Sequence, residues 1–394
     1  MGLKLLDNLK SSFLLRDIRN LINTSRSAFG DMVSERLRIQ SGWTFPYNLD
    51  TVFINQVVEN GGTVTHSGSF AVLNSGTNPA GKAEINTKRA LAYTPGIGAV
   101  AKFTAVFDNP VENCKQLIGI GNTVDGWFFG YDGIKFGVVR INDSIEEWSY
   151  QEDWKLDKKP DLKPQRGNVY QIDFQWLGFG AQYFSIEDDD GDVIQVHRID
   201  YANENVDVSV QNPSLPLTAK VVNDGNTTNV TLKTPSAIAG SYGEIGSSAF
   251  EFPIAFDQLE KATVGGVETY LFSIRNPTTF EGKTNRLFTI PTFLSIASDG
   301  TKSVVLRVYF NPILTAPTWV DLATGVTPLQ SDILASGFTG GLKVLTVTLG
   351  KVDRDTIDLS IFRGLVSPGG LITITALSSN ASSITSGLTS KSRV

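Results

Sequence analysis

Residues 116–140 read QLIGIGNTVDGWFFGYDGIKFGVVR, and the punctuation of this stretch decides the fold. Apolar runs of strand length alternate with Gly121-Asn122, Asp125-Gly126 and Asp132-Gly133. Such dipeptides turn an antiparallel pair back on itself because they accept positive φ at little cost. Asp132-Gly133 lies between WFFGY and IKFGVV and predicts a hairpin closed by a two-residue primed turn. The pattern returns at Asp190-Gly191, Asp224-Gly225 and Asp299-Gly300. Period-two alternation in WFFGY would bury either Trp127 and Phe129 or Phe128 alone, so at least one ring should meet a loop, another domain or a neighbouring subunit.

Working outward, the whole of 42–240 reads as short strands. Val169, Gln171, Asp173 and Gln175 alternate with Tyr170, Ile172, Phe174 and Trp176, one face for the core and one for solvent or a partner. Strands are expected at 52–58, 62–73, 82–92, 99–108, 115–121, 126–131, 134–141, 168–177, 181–187, 192–199, 216–223 and 228–234. The fold class is mainly β: a jelly-roll or lectin-like sandwich over 42–240 and a smaller C-terminal β-sandwich over 244–394. The small residues of 237–243 read as a linker between them. The Ser- and Thr-rich tail reads as an edge strand at 383–389 or a frayed end.

The first segment differs. Leu6, Leu9, Phe13, Leu14, Ile18 and Leu21 recur at spacings of three and four among charged residues, the pattern of an amphipathic helix. Residues 1–41 are therefore expected to form a helical docking or oligomerisation arm, with that apolar stripe meeting a partner surface.

Composition narrows the function. The chain of 394 residues has 41% hydrophobic residues and a net charge of -6, with its 34 basic residues scattered. No basic stripe is present to displace counterions from a phosphate backbone, which argues against nucleic-acid binding. A single cysteine, Cys114, leaves no internal disulfide. No apolar run approaches the roughly 18 residues that span a bilayer, and the N-terminus lacks signal-peptide grammar, so no membrane insertion is expected.

Catalytic chemistry finds little to use. The two histidines, His66 and His197, sit in no nucleophile signature, and no G-x-S-x-G occurs. One cysteine and two distant histidines cannot make a structural zinc site. The acid-rich loop around Gly191 makes Asp188, Asp190 and Asp192 a calcium candidate, although its spacing does not match the twelve-residue calcium loop and acids also favour tight hairpin bends. Glu146, Glu147, Asp153, Asp173 and Glu187 could be enlisted for glycoside hydrolysis, but nothing in the sequence pairs any two. Aromatic residues are the richer resource, and Trp148, Tyr150 and Trp154 are candidate ligand-facing rings.

Longer motifs carry a resemblance. Phe45-Pro46-Tyr47, GTVTHSGSFAVLNSG at 62–76, the run from Arg89 to Val139, RGNVYQIDFQWLGFGAQYFSIED at 166–188 and NPSLPLTAKVVNDGNTTNVTLKT at 212–234 resemble a domain of virion structural proteins from tailed phages and some large DNA viruses. Residues 275–314, WVDL at 319–322 and SPGGLITITALSS at 367–379 look, more loosely, like the small β domain that often follows it. The resemblance covers about 42–235 and leaves the N-terminal arm outside. It implies a non-enzymatic particle component of the tail, baseplate, fibre or head decoration, made in the host cytoplasm and located in the virion. Its expected partners are other virion proteins and further copies of itself, a trimer being the favoured order, with a host surface glycan or protein at its tips. A lectin-like adhesin and a polysaccharide-degrading glycosidase are the competing readings. No cofactor is expected beyond the calcium candidate.

Overall fold

The computed structural model describes residues 37–242, 251–285, 287–359 and 366–393. Backbone packing divides the chain into two units, Met1–Glu244 and Ile245–Val394. The expected helical arm, with Leu6, Leu9, Phe13, Leu14, Ile18 and Leu21, lies outside the described residues. Among the described residues no helix is long and apolar enough to cross a membrane.

The first unit is an antiparallel β-sandwich. Its strands are β1 (Leu37–Thr44), β2 (Ile54–Glu59), β3 (Thr63–Ser67), β4 (Phe70–Asn74), β5 (Lys82–Thr87), β6 (Ala99–Ala105), β7 (Cys114–Gly121) and β8 (Gly126–Tyr131). There follow β9 (Phe136–Asn142), β10 (Ile145–Tyr150), β11 (Asn168–Phe174), β12 (Gln182–Glu187), β13 (Val193–Ile199), β14 (Leu217–Asn223), β15 (Thr231–Thr234) and β16 (Ser236–Tyr242). A six-stranded sheet runs β1-β16-β6-β11-β12-β13, and a seven-stranded sheet runs β10-β9-β8-β7-β14-β5-β2. A three-stranded sheet, β15-β4-β3, completes the unit.

Alternation sends Trp127, Phe129 and Tyr131 of β8 inward, where they join Phe103, Phe107, Tyr170, Phe174 and Phe184 in one core. The rings interlock in tilted and edge-to-face pairs, such as Trp127–Phe174 at 4.6 Å, Phe129–Tyr170 at 4.9 Å and Phe129–Phe184 at 5.5 Å between centroids. Contacts of this kind add about 0.5–1.5 kcal/mol per pair beyond the area they bury. At least one ring of WFFGY is expected to meet a loop, another domain or a neighbouring subunit; Phe128, the outward ring, is instead fully buried in a second cluster formed by its own sheet.

Several boundaries depart from the sequence reading. Residues 237–242 are no linker: they form most of β16, which lies between β1 and β6. Smallness here serves close pairing, since a Cβ on Gly240 would stand 2.3 Å from the Arg38 carbonyl oxygen. The arm expected over 1–41 ends earlier than drawn, because Leu37 to Ser41 already belong to β1. The long strand expected at 62–73 is a hairpin broken at Gly68 and Ser69, both at positive φ. The β8–β9 hairpin forms as expected, but its loop spans Asp132 to Lys135, closed by the Asp132 amide on the Lys135 carbonyl and the Lys135 amide on Asp132 Oδ1. Strand β10 had no counterpart in the strands expected from sequence.

The second unit contains β17 (Glu251–Ala262), β18 (Thr269–Arg275), β19 (Thr279–Phe280), β20 (Lys283–Thr284), β21 (Phe288–Ser298), β22 (Val304–Phe310) and β23 (Ile313–Thr315). It continues with β24 (Val320–Asp321), β25 (Gln330–Asp332), β26 (Gly337–Thr339), β27 (Leu342–Leu349), β28 (Asp353–Asp358), β29 (Leu371–Ser378) and β30 (Ser383–Arg393). A four-stranded sheet, β17-β30-β21-β28, faces a six-stranded one, β24-β25-β18-β29-β22-β27, across a core of Leu271, Phe272, Leu294, Leu306, Ile374 and Leu388. The Ser-rich tail is neither frayed nor an edge, because β30 pairs on both sides, with β17 and β21. Ile384 and Leu388 anchor it inward, and the small buried Ser386 and Ser390 alternate with them on the same face.

Gly121 and Gly126 close the β7–β8 hairpin at φ +157° and +151°, each so near the other that a Cβ on Gly126 would meet the Gly121 Cα at 2.5 Å and the Phe128 ring at 2.9 Å. Gly126→Ala should therefore lower unfolding free energy by about 1–3 kcal/mol through overpacking, read as a reduced urea midpoint for the first unit.

Candidate functional site

The outer face of the seven-stranded sheet is set by cross-strand register. One row pairs Trp148, Val139, Phe128, Gly119, Thr218 and Asn86 across β10, β9, β8, β7, β14 and β5. The neighbouring row pairs Tyr150, Gly137, Gly130, Leu117, Lys220 and Glu84. Leu117, Phe128, Val139 and Ile141 make a small apolar cluster on this face, and Trp148 packs on it.

Charged side chains close over that cluster. Lys220 Nζ stands 5.3 Å from the centre of the Phe128 ring. Lys115 Nζ reaches Glu146 Oε1 and Oε2 at 2.9 and 2.8 Å, and Trp148 Nε1 donates to Glu146 Oε2 at 3.1 Å. Lys115 is on β7 and Glu146 on β10, with two strands between them, and by register Glu146 is level with Gly121, six residues along β7 from Lys115. Their side chains meet because the sheet curls toward this face, which is concave there.

At the β10 edge, the Trp148 and Tyr150 rings lie 6.1 Å apart with planes inclined by only 13°. The Tyr150 hydroxyl donates to Asp132 Oδ2 at 2.5 Å, a bond that pushes its pKa up to about 12. Lys135 Nζ sits 4.9 Å over the Tyr150 ring and pairs with Glu152 at 2.6 Å. At the other end, Lys82 bridges Glu59 at 3.5 Å and Glu84 at 3.2 Å, and Asn86 donates to Glu84 at 3.0 Å. Burial lowers the pKa of Lys220, with Glu84 and Glu146 pulling the other way. The face thus offers two parallel rings beside a band of donors and acceptors that are already charge-balanced.

Of the rings singled out from sequence, Trp148 and Tyr150 come together here. Trp154 does not: it is 2% exposed, wedged against Phe129 and Phe136, with its Nε1 donating to the Ser149 carbonyl. The short turn Gln151–Asp153 ends β10 and redirects the chain so that the next ring enters the sandwich. Lys115, Lys220 and Glu84 were missed. For Lys115 and Lys220 the signal is a lone charge on a strand, as Lys220 in LTAKVVN.

The calcium candidate is a turn. Asp188 Oδ1 accepts the backbone N–H groups of Asp190 and Asp192, and Gly191 takes φ +83°. Among the described residues no group of three His, Cys, Asp or Glu side chains gathers to hold a metal ion.

The carboxylates considered for glycoside hydrolysis are dispersed. Burial pushes the Glu146 carboxyl up, but hydrogen bonds from Lys115 and Trp148 more than offset this and hold it below its ordinary value. Asp173 alternates with the core residues Ile172 and Phe174 of β11, so it lies on the outside of the other sheet. Burial raises its pKa against hydrogen bonds from Gln171 and Tyr242. Glu147 pairs with Arg140 at 2.6 Å. Burial pushes the Cys114 thiol up to about 12, unsuited to nucleophilic work. His66 Nε2 lies 2.9 Å from the Phe45 carbonyl oxygen.

No family model and no curated protein matches the sequence. Solved structures with partial likeness include a glycoside hydrolase family protein from Mycobacterium thermorestibile, 11% identical, covering 50% of this chain and 98% of that one at TM-score 0.36. The Crh5 transglycosylase in complex with NAG is 16% identical, covering 52% and 86% at TM-score 0.34. The metal-free carbohydrate recognition domain of Emp46p is 11% identical, covering 53% and 100% at TM-score 0.34. Likeness at this level leaves function to be read from the residues.

His197 is buried and accepts the Lys155 amide at Nδ1, and burial lowers its pKa to about 4. The unfolded chain, titrating near 6.5, binds the proton first, so the stability present above pH 6.5 is lost as pH falls toward 4. With allowance for solvent screening this amounts to something on the order of 2 kcal/mol. Thermal melts of His197→Gln should show a flatter fall between pH 6.5 and 4 than the parent.

Proposed function

We propose that this chain is a non-enzymatic component of a virus particle, assembled as a closed homo-oligomer, whose first sandwich binds saccharide on the concave outer face of its seven-stranded sheet. The sequence resemblance over 42–235 supports the particle assignment. The docking role belongs, on the sequence pattern, to residues 1–36, ahead of β1.

One observation carries the binding part: the near-parallel Trp148 and Tyr150 rings beside a concave band of paired charges. A pyranose presents a C–H face that packs on aromatic rings and a rim of hydroxyls that both donate and accept. Lys115, Glu146, Asp132 and Lys135 border the rings and supply both kinds of partner. The same pairing argues against hydrolysis. A general acid needs a raised pKa, and Glu146 is held low, while Asp173 lies on the outside of the opposite sheet.

Trp148→Ala should remove at least one of the glycans that the parent chain binds on an array, and Trp148→Phe, which keeps a ring over the apolar cluster, should retain part of that binding. The parent protein should release no reducing ends from the polysaccharides it binds. Binding unchanged in Trp148→Ala would defeat the assignment of the site, and steady release of reducing ends would defeat the non-enzymatic reading.

A further inference from the structure

The second unit carries a groove of about 520 Å³ across the outer face of its four-stranded sheet. Its floor follows from register: Asp257, Gly387, Ser295 and Thr356 are paired across β17, β30, β21 and β28. Gly387 sits in the middle without a side chain, and a Cβ there would stand 2.9 Å from Ser295 Oγ. Asp257 and Thr356 therefore rise on either side of a dip. Arg354, paired with Ala297, extends the far wall, and Thr385 lines the near one.

Phe293 precedes Ser295 by two residues on the same strand, hence on the same face, and is 49% exposed. An exposed aromatic ring at the end of a trough lined by hydroxyls, one carboxylate and one guanidinium is the complement of a sugar ring. The ring takes a C–H face, Asp257 accepts from hydroxyls, Arg354 donates to them, and Thr356 and Thr385 do either. Asp257 balances the one guanidinium of Arg354 on this face, while Asp355, paired with the core residue Ile296, faces the other way, so the groove carries no net positive charge to hold phosphate or another anion. A volume of this size lies within the range of small-ligand sites.

We infer that this groove is a second saccharide site, for a neutral oligosaccharide, independent of the rings at Trp148 and Tyr150. The test uses the full chain carrying Trp148→Ala, which removes the site of the first unit. Neutral trisaccharides of glucose, galactose, mannose and N-acetylglucosamine are the probes, read by saturation-transfer NMR. At least one should bind, and adding Arg354→Ala or Phe293→Ala should weaken it by tenfold or more with the melting temperature of the chain unchanged. Both side chains are exposed, so neither substitution disturbs the core. If none of the trisaccharides binds the Trp148→Ala chain, or if binding survives both added substitutions, the inference is overturned. Loss on Trp148→Ala concerns the first unit alone, and loss on Arg354→Ala the second, so the two readings fail separately.

Discussion

The constraint from which the first unit follows is that β8 lies between two apolar layers. Trp127 and Phe129 on one side and Phe128 on the other are all fully buried, so neither face of the strand meets water. The inner side is covered by a second sheet, the ordinary solution for a sandwich. On the outer side, among the described residues, Phe128 clusters only with side chains of its own sheet, and long amphipathic side chains cover it. Lys220, itself buried with its Nζ over the Phe128 ring, and the half-buried indole of Trp148 lie over the apolar cluster.

This cover explains the electrostatics of the face. A desolvated lysine and a desolvated glutamate are tolerated only with opposite charges close by, and Lys220 lies within the field of both Glu84 and Glu146. The resulting lattice fixes side chains in place, which favours recognition by lowering the entropy lost on binding. It is poorly suited to acid–base work, where a carboxyl must change its protonation during turnover. Rigidity and neutral pairing thus arise from the same need to bury Phe128.

The β class, the two-sandwich plan and most strands were legible because apolar alternation and Asp-Gly turns are local signals. What escaped was non-local. Residues 237–242 look flexible by composition, and only the partners β1 and β6 make their smallness a packing requirement. The Ser-rich 383–393 looks weakly structured, yet neighbours on both sides satisfy its backbone. Trp148 and Tyr150 were readable as surface rings, whereas Trp154, six residues past Trp148, turns inward because of a 3-10 turn that no period announces. The ion pair between Lys115 and Glu146 depends on sheet curvature, a property of the assembled fold.

The position of β30 bears on how the molecule is made. Among the described residues, β17 pairs in its sheet with β30 alone, and β21 takes β30 as one of its two partners. Until Ser383–Arg393 clears the ribosome, both β17 and β21 present unpaired backbone edges, the kind of surface that recruits another chain. The first sandwich closes much sooner, when β16 slots between β1 and β6. Nascent chains would therefore spend a long interval with a finished first unit and an unclosed second one, during which neighbouring copies on the same message could exchange strands in place of folding alone.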